Sequence, residues 1–152
     1  MNNSYRRIVT GIAAAFGSYL GIWAYFFPRN FYDNFPGLGS AWVAADGPFN
    51  EHLIRDFGGL YLGIVAACVW AIFRSDLIVT RIIGLALAIF GALHLVYHSQ
   101  HLGEYAPIDV VGNILTLGTS LLLGILMFLP GRKTREVSHA NLEDQNESEP
   151  AR

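Results

Sequence analysis

The segment LIVTRIIGLALAIFGALHLVYHSQH, residues 77–101, decides the fold. From Leu77 to Tyr97 its only Lys, Arg, Asp or Glu is Arg81, and no continuous polar face interrupts it. A water-soluble helix would carry a polar stripe opposite its apolar one. About 20 mostly apolar helical residues are what a ~30 Å hydrocarbon core requires. The segment therefore reads as a membrane span.

Three further stretches meet the same length and composition: Ile8–Phe27, Leu53–Phe73 and Val110–Leu129. The whole chain agrees with this reading, since its 152 residues are 53% hydrophobic and 14% charged, against roughly 25% charged in soluble domains. The expected fold is all-α: a four-helix transmembrane bundle over residues 1–130, with an irregular loop between the first two spans. Residues 131–152 lose all hydrophobic periodicity and are expected to form a disordered tail. The first span is not read as a cleaved signal peptide, because it is long and ends in WAYFFPRN rather than small residues.

Orientation follows from the cations. Arg6, Arg7, Arg74, Arg81, Arg132, Lys133 and Arg135 fall on one side of the four spans, and only Arg29 and Arg55 on the other. Both termini are therefore expected in the cytoplasm, with loops 28–52 and 98–109 outside. A net charge of −2 and the lack of a basic face exclude a nucleic-acid binder. Cys68, the single cysteine, permits no intrachain disulfide and sits in an apolar run as a packing residue.

Helices in lipid pack through small residues and buried polar contacts. Stripes at steps of three, four or seven run through each span: Thr10, Ala14, Ser18, Gly21 and Tyr25; His52, Asp56, Gly59 and Gly63; Gly84, Gly91, His94, His98 and His101; Asp109, Asn113, Thr116, Ser120 and Gly124. All four are expected to face a shared axis. Ionisable groups at membrane depth are costly unless paired or wetted, and here they gather at the outer end. Glu51 and Arg55 are spaced to pair with each other. Asp56 is thereby left to hydrogen-bond His94 or His98 across the bundle, and Asp109 and Asn113 support the cluster.

Three readings of this cluster stay open. The i, i+4 pairs His94/His98 and His52/Asp56, with His101, have the donor types and spacing of a transition-metal site. A cavity lined by Tyr61, Tyr97 and Tyr105 near Gly58-Gly59 would instead take a quinone or another small redox molecule. The third reading is an accessory protein that contacts lipid and a membrane protein partner, its aromatics anchoring at the interface.

The stretch FYDNFPGLGSAWVAADGPFNEHLIRD, residues 31–56, carries a resemblance. Phe31, Tyr32, Phe35, Pro36, Gly37, Trp42, Gly47, Pro48, Asn50, Glu51, His52, Arg55 and Asp56 match a pattern found in small four-span membrane proteins of bacteria, especially actinobacteria. The general plan is similar to DoxX-like proteins. The resemblance implies a multi-pass protein of the bacterial inner membrane and no particular reaction. Within NEHLIRD, Asn50 is placed to cap the second span. The reading favoured by the residues is a non-enzymatic accessory role, with a metal at the outer cluster, and a DoxX-like redox subunit as the alternative.

Overall fold

The computed structural model describes residues 3–37 and 39–129; the expected disordered tail lies outside the described residues. In chain order the helices are α1 (Asn3–Phe26), α2 (Pro28–Asn34), α3 (Trp42–Ala45), α4 (Glu51–Arg74), α5 (Leu77–Ser99) and α6 (Pro107–Phe128), with a 3-10 turn at Leu102–Glu104. Among the described residues there is no strand, only an isolated bridge between Pro36 and Ala41. Helices α1, α4, α5 and α6 are long and apolar enough to cross a membrane. At 1.5 Å per residue each runs about 33–36 Å.

Local chemistry sets the ends of these helices. The Asn50 side chain accepts from the Leu53 amide at 3.1 Å, so α4 begins two residues before its apolar run. Pro107, near the start of α6, removes an amide that would have no helical partner. Between α4 and α5, Ser75 turns the chain in the left-handed region at φ 51°. Asp76 then accepts from the amides of Ile78 at 2.9 Å and Val79 at 3.0 Å. Asp76→Ala is expected to cost about 1 kcal/mol, read as a lower melting temperature in detergent; Asp76→Ser, which keeps the cap, should recover most of it.

Glycine governs how the helices pair. In α1 and α4, a Cβ built on Gly58 would stand 2.5 Å from the Tyr25 nitrogen and 3.0 Å from the Gly21 carbonyl oxygen. In α5 and α6, one on Gly84 would stand 2.6 Å from the Phe128 nitrogen and one on Gly124 2.5 Å from the Ala88 nitrogen. Backbones this close are possible only without side chains, and close approach is what drives helix association where lipid is the solvent. The bundle is therefore two tight pairs, α1/α4 and α5/α6.

The pairs meet firmly at one end only. Near the Ser75 turn, Val9, Ala13, Cys68, Leu87, Leu123 and Met127 form a core to which all four long helices contribute. Cys68 is fully buried there, as a packing residue. At the other end, which carries α2 and α3, the pairs diverge, and the filling is aromatic: Phe31, Tyr61 and, at the edges, Trp23, Phe35, Phe57 and Phe90. The outer surface is apolar, with Phe73 80% exposed and Ile78 71%. Such a surface is a liability in water and ordinary in a bilayer.

Two expectations are corrected by this packing. The stripe His52, Asp56, Gly59, Gly63 does not face the axis: His52, Asp56 and Gly63 are exposed, and a Cβ on Gly63 would meet nothing within 4 Å. With Gly58 fixed against α1, residues 52 and 56 fall about 120° and 160° round the helix from that contact. The glycines of the other stripes serve their own helix pair rather than a common axis.

Candidate intramembrane cavity

Divergence of the two pairs leaves a cavity of about 500 Å³ at the loop-bearing end. Its walls differ in chemistry. From α1 and α4 come Phe16, Leu20, Ile54, Phe57 and Tyr61, almost wholly apolar. From α5 and α6 come His94, His98, Asn113, Thr116 and Ser120, a ladder of hydrogen-bonding groups descending to mid-helix. Steps of four in α5, and of three and four in α6, keep each set on one face.

The long loop supplies the roof. Phe31 and Phe35 pack with their rings tilted, 4.8 Å between centroids, and Phe35 meets Trp42 edge-on at 5.8 Å. Trp42 is buried and lines the cavity with Val43 and Asp46. Asp109, at the first turn of α6, holds this roof by accepting from Ser40 Oγ at 2.5 Å and Trp42 Nε1 at 2.9 Å. Tyr105 donates to Asp46 at 2.8 Å. Burial, and then the bond to Asp46, push the Tyr105 phenol above its ordinary value, so it remains the donor. Asp109→Ala is expected to accelerate proteolysis between residues 28 and 50. An unchanged cleavage rate would show that the roof stays seated without it.

The polar wall is only partly satisfied. His94 and His98 share a hydrogen bond between their Nε2 atoms at 2.9 Å, with Phe90 packed edge-on against His94 at 5.0 Å. His98 Nε2 lies 3.8 Å from Asp46 Oδ2. His98 is 8% exposed and Asn113 3%, yet His98 Nδ1 and Asn113 Oδ1 have no hydrogen-bond partner among the described residues. A buried polar atom without a partner costs about 1–3 kcal/mol, so each calls for an explanation.

The candidate residues of the outer cluster are thus divided. His94, His98 and Asn113 come together in the cavity. Glu51 and Arg55 pair as expected at 2.8 Å, on the surface, where Arg55 also donates to the Tyr25 carbonyl. The expected bond from Asp56 to His94 or His98 is absent; Asp56 lies 3.3 Å from His52 on the exposed side of α4. His101 stands outside the cavity, bonded to the Tyr97 carbonyl at 2.8 Å and stacked on the Tyr97 ring. Asp109 binds the roof rather than the histidines. The five histidine and aspartate positions read as a metal set therefore do not converge, and no group of three or more metal-binding side chains is found among the described residues.

Of the three tyrosines, Tyr61 and Tyr97 line the cavity, while Tyr105 acts one step removed through Asp46. Sequence reasoning missed Asp46. The one available signal was a carboxylate within AADGPF, a small and apolar run just before a span.

Two glycine-closed helix pairs, apolar on the outside and enclosing a roofed cavity, define a small four-helix protein of membrane type. The chain belongs to the DUF4345 family, a domain of unknown function, whose model matches residues 5–93. That match runs from α1 through the roof and α4 to Leu93 in α5. Neither a curated protein nor a solved structure matches the chain.

Proposed function

We propose that this chain is a binding protein of the membrane whose cavity takes a small, mostly apolar molecule with a hydrogen-bonding head. The observation that carries this reading is the pair of buried, unpartnered polar atoms, His98 Nδ1 and Asn113 Oδ1, beside a cavity of about 500 Å³. That volume falls in the usual range for small-molecule sites. Rotation of either side chain would turn its buried polar atom into the cavity, where a hydrogen bond from a ligand would remove the burial cost while the aromatic wall takes the apolar body.

The role is accessory rather than enzymatic. The protein sits in the bacterial inner membrane with both termini cytoplasmic, as the Lys and Arg bias supports, and the cavity lies at the extracytoplasmic end. Lipid is its surrounding partner, and a second membrane protein would receive or deliver the ligand. One observation favours a redox lipid such as a quinone, handled as in a DoxX-like subunit. The His94–His98 contact at 2.9 Å, with Asp46 behind it, is a short path for a proton.

Purification of the full chain in mild detergent, solvent extraction and mass spectrometry test the proposal. The expected result is an apolar compound in roughly equal amount to the protein. An ultraviolet band that bleaches on borohydride reduction would identify a quinone. A protein carrying nothing organic, or holding stoichiometric transition metal by elemental analysis instead, would overturn it.

A further inference from the structure

The cavity is not closed all round. Toward α1 and α6 its lining includes the buried Leu20 and Asn113, and its roof the buried Trp42. The strongly exposed lining residues of the long helices are Leu53, Leu93 and Tyr97, at 65%, 68% and 49%. Leu53 stands on α4 and Leu93 and Tyr97 on α5, two helices that no glycine contact draws together. Asp46 stands at the corner of this opening nearest the roof, its side chain 28% exposed. The mouth therefore opens sideways, between apolar helices, rather than along the bundle axis.

We propose that the cavity loads from the bilayer through the α4–α5 gap, and that its occupant is an uncharged, single-tailed amphiphile with a hydroxyl or carbonyl head. The proposal rests on the binding reading above. An apolar molecule is concentrated in lipid and scarce in water, so a lateral mouth meets its supply. Leu53 and Leu93 give the mouth an apolar rim, and Tyr97 sets an amphipathic ring beside it.

Charge selects the head. Among the described residues no lysine or arginine lines the cavity, and the one carboxylate that does is Asp46. An anionic head would enter unbalanced beside Asp46, and burying an uncompensated charge is costly. A cationic head would have to compete for Asp46, whose oxygens already face Tyr105 and His98. The Asn113 amide carries both an acceptor and donors, and a neutral imidazole carries one of each, a complement that suits a hydroxyl or carbonyl once the side chain turns toward it. About 500 Å³ holds a molecule of drug size, which excludes a two-chain phospholipid.

The test uses the three tryptophans, of which only Trp42 lines the cavity. The full chain with Trp23→Phe and Trp70→Phe is reconstituted in phosphatidylcholine vesicles and mixed with single-chain probes sharing one dibrominated hydrocarbon tail of stearic-acid length. The probes are the monoglyceride, the free fatty acid and the primary amine. The monoglyceride is expected to quench Trp42 saturably and at least 5-fold more strongly than either charged probe. Leu53→Phe with Leu93→Phe should slow that quenching at least 5-fold. Because Trp23 packs under the same roof, 5-fluorotryptophan in the unaltered chain, with the Trp42 resonance assigned by Trp42→Phe, provides the same readout by fluorine NMR.

Equal or stronger quenching by the acid or the amine would overturn the uncharged head. Saturable quenching whose rate ignores the mouth substitutions would overturn lateral loading. Quenching no greater than that from dibrominated phosphatidylcholine would overturn the binding reading itself.

Discussion

Gly124→Ala is expected to destabilise the protein severely, while Gly63→Ala stabilises it. Both replacements improve helix propensity, by about 0.5–1 kcal/mol. They differ in what the new methyl group meets. At Gly124 it would stand 2.5 Å from the Ala88 nitrogen and 2.9 Å from its Cα, and these are backbone atoms that cannot swing aside. At Gly63 it would meet nothing within 4 Å. Overpacking commonly costs about 1–3 kcal/mol, occasionally more, and here the α5/α6 axes would have to separate along the seam that also places Gly84 against Phe128. The check is thermal unfolding in mild detergent: a melting temperature well below the unaltered protein's for Gly124→Ala, and at or above it for Gly63→Ala. Equal effects of the two would show that glycine contacts do not set the pairing.

Asn113→Leu is expected to raise stability and abolish ligand retention together. Asn113 is 3% exposed and its Oδ1 is unpartnered, so leucine, of similar size, removes a desolvated polar atom worth about 1–3 kcal/mol in the empty protein. The same change removes the amide proposed to hold the ligand's head, and the co-purifying compound should fall at least 10-fold. A structural asparagine would behave in the opposite way, with lower stability and retention no worse than unfolding explains. The contrast is the surface pair His52 and Asp56, 87% and 62% exposed at their side chains. Exposed ion pairs contribute about 0–1 kcal/mol, so His52→Ala with Asp56→Ala should leave both readouts near those of the unaltered chain. A fall in retention there would return the site to the residues that the sequence first suggested.

The four spans, the Asn50 cap and the Glu51–Arg55 pair were legible in the sequence, because each depends on neighbours within a few residues. So was the polar face of α6, since Asn113, Thr116 and Ser120 keep helical spacing whatever the helix packs against. Asp46 was not legible. It reaches His98 only because the loop folds back under Phe35 and Trp42, and Asp109 fixes that fold from a point more than sixty residues away in sequence. Nor was the turn of α4 about its own axis. Spacing places His52 and Asp56 on one face but does not say where that face points; the contact of Gly58 with Gly21 and Tyr25 decides that.

The amino-acid sequence by itself determined that this protein is four apolar helices with its candidate histidine and carboxylate residues at one end, because hydrophobicity and helical period are local properties of the chain. The tertiary structure alone decided that the helices close as two pairs and leave a roofed, side-opening cavity lined by His94, His98 and Asn113. The physical reason is that backbone contact at a few glycines fixes each helix's rotation, and rotation determines which polar groups meet.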